Sequence, residues 1–242
     1  MDGYYRKMQK TPPDAYVLSS FMEWWGGKSS PDFVRSPKHI LDSGAYSVIA
    51  DKTGKFKSNF SWDSYCADYI KFINENKIKL FFELDIDVAV GLKQVEYYRD
   101  KIHAETGVPP IPVWHPNRKE KYFWECAERY PYVSIGALGK SKTSPNMLAL
   151  MTQFVKVAHD NGAKIHGLGF TAIKFLNRIH FDSVDSTTWN AARYGTLYKY
   201  VGGGKMEITY RDPSRRVKNH MAMQNYNFLQ WVAYQNWALK HI

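Results

Sequence analysis

The sequence predicts an α/β fold, a single-domain (β/α)8 TIM-like barrel that ends in a long C-terminal helix. Short β-branched or aliphatic runs alternate with longer segments of helical periodicity, as parallel strands joined by crossover helices require. The chain has 242 residues, a length that one barrel commonly has. It contains no repeat and no long linker, so we expect one domain over residues 1–242.

Eight strands are predicted from the short apolar runs. Seven are well marked, and the eighth is weak. In chain order they are residues 16–20, 39–42, 79–85, 111–114, 132–136, 164–168, 181–184 and 198–201.

Three long helices are predicted between and after these strands, at residues 62–76, 146–161 and 217–242. The first two have apolar residues at helical spacing, and Gly162 follows the second as a stop signal because glycine tolerates the left-handed conformation. The final helix is expected to pack on the outside of the barrel. Residues 202–216, with three glycines and several arginines, suggest a loop or a small hairpin.

The charge and the cysteines restrict the class of protein. Lys and Arg number 33 against 23 Asp and Glu, a net charge of +10 that would attract a phosphate backbone. The two cysteines, Cys66 and Cys126, can form neither a disulfide framework nor a cysteine zinc site. Because the first residues lack a signal-like apolar run, we expect a protein of the cytoplasm, the host's if phage-encoded, with no membrane partner.

Polar residues or glycines end several of the predicted strands. In a barrel the carboxyl ends of the strands share one face, so these residues would converge on one pocket. Crowded carboxylates separate in pKa, which gives one nucleophile and one proton carrier, as glycosidic-bond chemistry uses. Each Asp alone has the alternative role of capping a helix or turn. The strand-end groups are Asp42 with Ser43 and Gly44, Asp85 with Asp87, Trp114 with His115, Gly136 with Ala137, and Asp182 with Asp185.

Four motifs then carry a resemblance to a known family. They are Asp42-Ser43-Gly44-Ala45-Tyr46 for D-S-G-G-F, Leu84-Asp85-Ile86 for F-D-E, Gly136-Ala137-Leu138 for G-G-L, and Phe181-Asp182-Ser183 for F-D-S. Over residues 40–195 the chain resembles the tRNA-guanine transglycosylase superfamily, most closely its DpdA-type DNA-guanine transglycosylases.

The resemblance implies a catalytic role for two acids. Asp182 would attack C1′ of the nucleotide and form a covalent glycosyl-enzyme intermediate. Asp42 would protonate the leaving guanine and then deprotonate the incoming base. Asp85, or alternatively Asp87, would accept hydrogen bonds from the edge of the base.

Other residues would complete the base site. Ser43, Gly44, Gly136, Ala137 and Leu138 belong to the motifs, and the backbone at Gly136 and Ala137 would approach the flat base, although an ordinary tight turn is the alternative. Tyr46 could stack on an extruded base or belong to the core. Trp114 and His115 stand where the tRNA enzymes have Gln-Gly. His115 and His166 are each either a pocket donor or a histidine without such a role.

Two residues follow the seventh strand as candidates for phosphate and sugar. Arg193 is the first candidate for a phosphate contact, and Asp185 would orient it or hold a substrate hydroxyl. A solvated surface pair is the alternative for these two residues.

The resemblance implies a pentosyltransferase that exchanges guanine in DNA for a 7-deazaguanine such as preQ0, without a metal or nucleotide cofactor. The zinc-binding cysteines of the tRNA enzymes are absent from this sequence, which favours DNA over tRNA as the partner. The alternatives are a tRNA-guanine transglycosylase, a retaining glycoside hydrolase, and a catalytically silent barrel that binds nucleic acid. A homodimer stays open.

Overall fold

The structure, a computed structural model, describes residues 14–25, 32–51, 60–136, 144–212 and 219–242. It is a mixed α/β structure with parallel sheets and a long C-terminal helix. The chain divides into two compact units, each with its own hydrophobic core. Among the described residues, unit 1 lies within residues 16–113, and unit 2 takes in residues 14–15 and those from 114 onwards. The single domain stays a prediction.

Unit 1 is built on short parallel strands. Strand β1 pairs with β2 in parallel, and parallel bridges join Leu41 to Phe81 and Phe82 to Ile111. The predicted strand at 79–85 therefore has only Phe81 and Phe82 in bridges. The elements are β1 (Val17–Ser20), β2 (His39–Asp42), α1 (Ala45–Ile49), α2 (Trp62–Asn76), α3 (Asp87–Val90) and α4 (Leu92–Thr106).

Helix α2 has the bounds that the apolar spacing predicts. The Ser61 side chain caps its start by accepting a hydrogen bond from the Ser64 amide. Tyr65, Tyr69 and Ile73 recur at helical spacing and are buried in the core of unit 1. Lys77 ends the helix in the left-handed conformation, at φ 54°.

Unit 1 contains a buried ion pair between Glu83 and Arg99. Arg99 Nη1 donates to Glu83 Oε2 at 3.0 Å, and the Val113 amide donates to Glu83 Oε1 at 3.0 Å. Both charged side chains are at most 3% exposed. One carboxylate thus ties helix α4 to the backbone at Val113, and both of its oxygens are satisfied, as a buried charge requires.

Unit 2 contains a four-stranded sheet in the order β3, β4, β5, β6, in which β4 pairs with β5 and β5 with β6 in parallel. The boundary between the units falls within β3. The elements are β3 (Val113–Trp114), α5 (Glu120–Arg129), β4 (Tyr132–Ile135), α6 (Pro145–Asp160), β5 (Lys164–Gly167), α7 (Ile173–Leu176), β6 (Ser183–Val184), a 3-10 helix (Thr187–Tyr194), β7 (Leu197–Gly202), β8 (Lys205–Thr209) and α8 (His220–His241).

Aromatic rings form the centre of the core of unit 2. Phe123 of α5 stacks on Phe154 of α6 with ring centroids 4.0 Å apart, and Trp114 meets Phe154 edge to face. Helix α6 begins at the Ser144 cap and ends before Gly162, which has φ 73°. The predicted stop at Gly162 is confirmed.

The predicted eighth strand at 198–201 is present as β7, but the described residues pair it with β8 in a separate two-stranded sheet and not with the parallel strands. Strand β7 pairs antiparallel with β8, joined by a glycine turn in which Gly203 and Gly204 have positive φ. The chain therefore turns back at once, and the hairpin that was one of the two interpretations of residues 202–216 is present, with β8 as its second strand.

Helix α8 holds this hairpin through a buried amide. Asn227, 0% exposed, accepts a hydrogen bond from the Tyr198 amide and donates to the carbonyls of Trp189 and Thr196. These three bonds join α8 to the 3-10 helix and to β7. Within the described part of the chain, no helix is both long and apolar enough to cross a membrane.

The buried ion pair predicts a large loss of stability when one partner is removed. Glu83→Ala leaves the Arg99 charge buried, so we expect the free energy of unfolding in urea to fall by about 3 to 5 kcal/mol. Glu96→Ala is the control, because Glu96 is 41% exposed and lies 3.8 Å from Arg99. We expect that change to stay within about 1 kcal/mol. Equal losses of stability in Glu83→Ala and Glu96→Ala would contradict the conclusion that the buried pair of Glu83 and Arg99 stabilises unit 1.

The buried His39 predicts an acid-labile unit 1. Burial lowers the pKa of His39 from 6.5 to about 4. Between these values the unfolded chain takes up a proton that the folded chain does not, so folding stability falls as the pH drops from 6.5 towards 4, by at most about 1.4 kcal/mol per pH unit. We expect His39→Gln to flatten this part of a urea-midpoint profile. His103 is exposed, so His103→Gln should leave the pH profile of the urea midpoint unchanged. A flatter profile in His103→Gln and an unchanged one in His39→Gln would contradict the role of His39.

Candidate active site

The carboxyl ends of the parallel strands carry several of the polar residues that the sequence singled out. In unit 1, Asp42 ends β2 and is half-buried, and the Gly44 amide donates to its Oδ2 at 3.1 Å. Ser43 is buried, and its carbonyl accepts a hydrogen bond from the Tyr65 hydroxyl at 2.5 Å. The backbone turn that follows β2 thus fixes the Asp42 carboxylate.

Two buried phenols lie close enough to Asp42 to feel its charge. Burial first, and the Asp42 carboxylate second, raise the pKa of Tyr65 and of Tyr69 well above the usual value. Both phenols therefore remain neutral hydrogen-bond donors. The surroundings of Asp42 are partly desolvated, which strengthens any electrostatic interaction made there.

Gly44 is required by both its conformation and its neighbours. It has φ 70°, and a Cβ on it would lie 2.7 Å from the Cβ of Met22 and 2.9 Å from the Met22 amide nitrogen. The turn after β2 therefore packs directly on the residues that follow β1. Tyr46, the next motif residue to carry a large side chain, is 67% exposed.

Asp85 and Asp87 lie at the carboxyl side of the bridged residues Phe81 and Phe82. Their carboxylate oxygens approach within 4.8 Å of each other, and both residues are half-buried. Asp87 also begins α3. The two carboxylates therefore lie close together.

In unit 2 the residues after β5 and β6 form a connected site. Asp185 Oδ1 accepts hydrogen bonds from the Gly169 amide at 2.8 Å and from His166 Nε2 at 3.2 Å. The other ring nitrogen of His166, Nδ1, lies 2.5 Å from Ser183 Oγ. Ser183 Oγ in turn lies 2.6 Å from the hydroxyl of Tyr132. His166 is thus a buried member of this hydrogen-bonded group, and its role as a pocket donor stays a prediction.

Asp182 lies at the other end of β6. Its Oδ2 accepts a hydrogen bond from the Ile165 amide at 2.8 Å and lies 3.0 Å from His159 Nε2. His159 is in the last turn of α6, and Ile165 is the second residue of β5. These partners mark the amino end of the sheet, so the structure does not bring Asp182 to the same edge as Asp185.

The other predicted residues of unit 2 differ in their exposure. The Trp114 side chain belongs to the core, with its indole N–H donating to the Lys119 carbonyl at 3.2 Å, and does not line an open site. His115 is half-buried, and its carbonyl accepts from the Arg118 amide. Gly136 is buried and donates to the Trp114 carbonyl. Ala137 and Leu138 lie outside the described residues.

Arg193 lies on an exposed surface beyond Asp185. Its guanidinium is 5.5 Å from the ring of Tyr194, which is 71% exposed. Gly195 follows with φ 88°, and the Arg211 side chain packs against it so closely that a Cβ there would clash. Two arginines and an exposed tyrosine therefore share one surface of unit 2.

The sequence did not single out Gly169, Tyr132 or His159. A signal for Gly169 existed, because a glycine directly after a buried strand indicates a turn that presents its amide. The sequence contains no such signal for Tyr132 or His159, because their hydrogen-bond partners are far along the chain and are brought near only by the strand register.

No protein-family model matches this chain, and no curated protein sequence matches it. The likeness to transglycosylases therefore depends on the four short sequence motifs alone.

Alanine substitutions at Gly44 and at Gly107, two glycines in the left-handed conformation, are predicted to differ in their loss of stability. Gly44→Ala adds both conformational strain and a clash with Met22, so we expect a loss in the free energy of unfolding of roughly 2 to 4 kcal/mol. Gly107→Ala is the control: it has φ 69°, and no described atom lies within 4 Å of an added Cβ. It should cost only about 1 to 2 kcal/mol. Equal costs in urea titrations would mean that Met22 moves aside without penalty.

Proposed function

We propose that this chain is a DNA-guanine transglycosylase, a pentosyltransferase that exchanges guanine for a 7-deazaguanine base such as preQ0. The observation that carries the proposal is the position of two half-buried carboxylates, Asp42 and Asp185, each at the carboxyl end of a parallel strand and each held by a glycine amide. In parallel α/β proteins ligands bind at this edge.

The proposal includes a closed (β/α) barrel as the finer description of the fold. Parallel pairing over β1, β2 and the bridged residues of unit 1, and over β4, β5 and β6 of unit 2, supports it. In such a barrel the carboxyl ends of all strands face one pocket. The hairpin of β7 and β8 and helix α8 are then additions to the barrel.

Asp42 is assigned the proton transfer. The leaving guanine takes up a proton at its ring nitrogen, and the incoming base loses one, so a single carboxylate can serve both half-reactions. The Gly44 amide fixes the direction of this carboxylate, and the buried, neutral phenols of Tyr65 and Tyr69 lie near enough to interact with its charge. Both features favour a proton transfer of defined geometry.

Asp85 and Asp87 are assigned the recognition of the guanine edge. Guanine presents a ring N–H and an exocyclic amino group side by side, and a carboxylate accepts from both. A 7-deazaguanine has the same edge, so one site accepts both bases. Neither this recognition nor a displacement at C1′ needs a metal or a nucleotide cofactor.

The surface of Arg193, Tyr194 and Arg211 is assigned to the nucleic acid. Two guanidinium groups suit phosphate oxygens, and an exposed tyrosine ring can stack on a base. The net charge of +10 supports a polyanionic partner. DNA is preferred to tRNA because the sequence has only two cysteines, which cannot supply the zinc-binding set of the tRNA enzymes.

Base exchange tests the proposal. The purified chain is incubated with labelled guanine or preQ0 and, separately, with duplex DNA, single-stranded DNA and tRNA, and the nucleosides are measured by mass spectrometry. We expect incorporation into DNA only, and its loss in Asp42→Asn. Asp100→Asn, a change on the exposed face of α4, should retain it.

Two results would contradict this function. Incorporation into tRNA alone would make the protein a tRNA-guanine transglycosylase. Binding of nucleic acid without incorporation into any of them would identify a catalytically silent barrel.

A further inference from the structure

We infer that Asp185, and not Asp182, is the carboxylate that attacks C1′ of the nucleotide, and that His166 is its positioning residue. The inference rests on the proposed base exchange and concerns which acid performs it. The resemblance in sequence gives the attack to Asp182, because Asp182 occupies the motif position.

Asp182 is placed on the amino edge of the sheet. The chain leaves α6 at Asp160 and enters β5 at Lys164, so His159 and Ile165 lie where the chain enters the sheet. Both groups converge on the same oxygen, Asp182 Oδ2. Asp182 therefore joins the end of α6 to the start of β5, which is a structural role.

Asp185 is placed on the carboxyl edge. Strand β6 separates the two acids, and three residues of extended chain span about 10 Å. The register pairs His166 with Ser183 and Gly167 with Val184, so Asp185 follows the last paired residue and reaches the loop after β5. A sugar at one of these acids is out of reach of the other.

The hydrogen bonds of Asp185 suit a nucleophile. Two donors, the Gly169 amide and His166 Nε2, fix Oδ1. Within the described residues Oδ2 has no hydrogen-bond partner, and the side chain is 21% exposed. One oxygen is thus anchored, and the side chain that carries the other is partly accessible to solvent.

A chain of hydroxyls sets the tautomer of His166. Asp185 accepts from Nε2, so Nε2 carries the proton and Nδ1 accepts from the Ser183 hydroxyl. Ser183 Oγ then accepts from the Tyr132 hydroxyl. Burial raises the pKa of Tyr132, so this phenol keeps its proton. His166, 1% exposed, therefore presents a fixed N–H to Asp185.

The displacement at the sugar balances. A lone pair of Asp185 Oδ2 forms the bond to C1′, the C1′–N9 bond breaks, and its electron pair goes to guanine N9, which takes a proton from a general acid. The incoming base then loses its N9 proton to the conjugate base of that acid, forms the new C1′–N9 bond, and displaces the Asp185 carboxylate.

Mapping of the covalent intermediate tests the inference on the native chain. Wild-type protein is incubated with the DNA substrate without incoming base, quenched in acid, digested with nuclease and trypsin, and sequenced by tandem mass spectrometry. Residues 179–193 form one tryptic peptide that contains both acids. A pentose adduct on Asp185 is the expected result, and an adduct on Asp182 overturns the inference but leaves the function intact.

Variants give a second measurement. We expect Asp185→Asn to lower base exchange by on the order of 10⁴-fold or more, as removal of a nucleophile does. Asp182→Asn keeps an acceptor for the Ile165 amide and should lower stability more than kcat. If the folded Asp182→Asn variant loses base exchange while Asp185→Asn keeps full activity, the assignment of Asp185 as the attacking carboxylate is overturned. Wild-type protein that yields neither exchange nor adduct with any nucleic acid overturns the function and the assignment together.

The role of His166 has its own readout. His166→Gln can still donate an N–H towards Asp185, whereas His166→Leu cannot. If His166 positions Asp185, the Gln variant recovers at least part of kcat at unchanged KM, and the acid limb of the kcat profile shifts to higher pH in the Leu variant. Equal kcat values and equal pH profiles in the two folded variants would show that His166 is only structural.

Discussion

Parallel pairing is the constraint on which the rest of this structure depends. Parallel strands must all enter the sheet at one edge and leave it at the other, so every crossover returns the chain to the same side. In unit 2 the end of α6 and the start of β5 mark the entering edge, whereas the loops after β5 and β6 mark the leaving edge. The edge of the sheet at which a side chain lies therefore determines which chemical role it can have.

The strands that obey this constraint are short, and buried polar side chains supplement their hydrogen bonds. Strands β3 and β6 have two residues each, so their ladders contribute few bonds. Glu83 accepts from the Val113 amide of β3. Outside the parallel sheets, Asn227 holds β7 and the 3-10 helix to α8 in the same way. A buried amide or carboxylate that is fully bonded specifies one arrangement, because any other leaves its polar atoms unsatisfied.

Most elements could be predicted from local pattern. The bounds of helix α2 agree with its apolar spacing, and the stop at Gly162 follows from its position after the last apolar turn. The direction of β7 could not be predicted, because period-two alternation is the same in parallel and antiparallel strands. Trp114 shows a similar limit: a strand-end position does not say whether its ring faces solvent or, as here, the ring of Phe154.

The sequence by itself determined the α/β class, the positions of the three helices α2, α6 and α8, the positive charge, and the presence of acids where strands end. It could not decide between Asp182 and Asp185, which are three residues apart and both adjoin a predicted strand. Only the tertiary structure shows that the two acids lie at opposite edges of the sheet, since the pairing of His166 with Ser183 sets where β6 begins and ends. Register is a property of two strands together, and a shift of one residue would exchange the faces of every side chain.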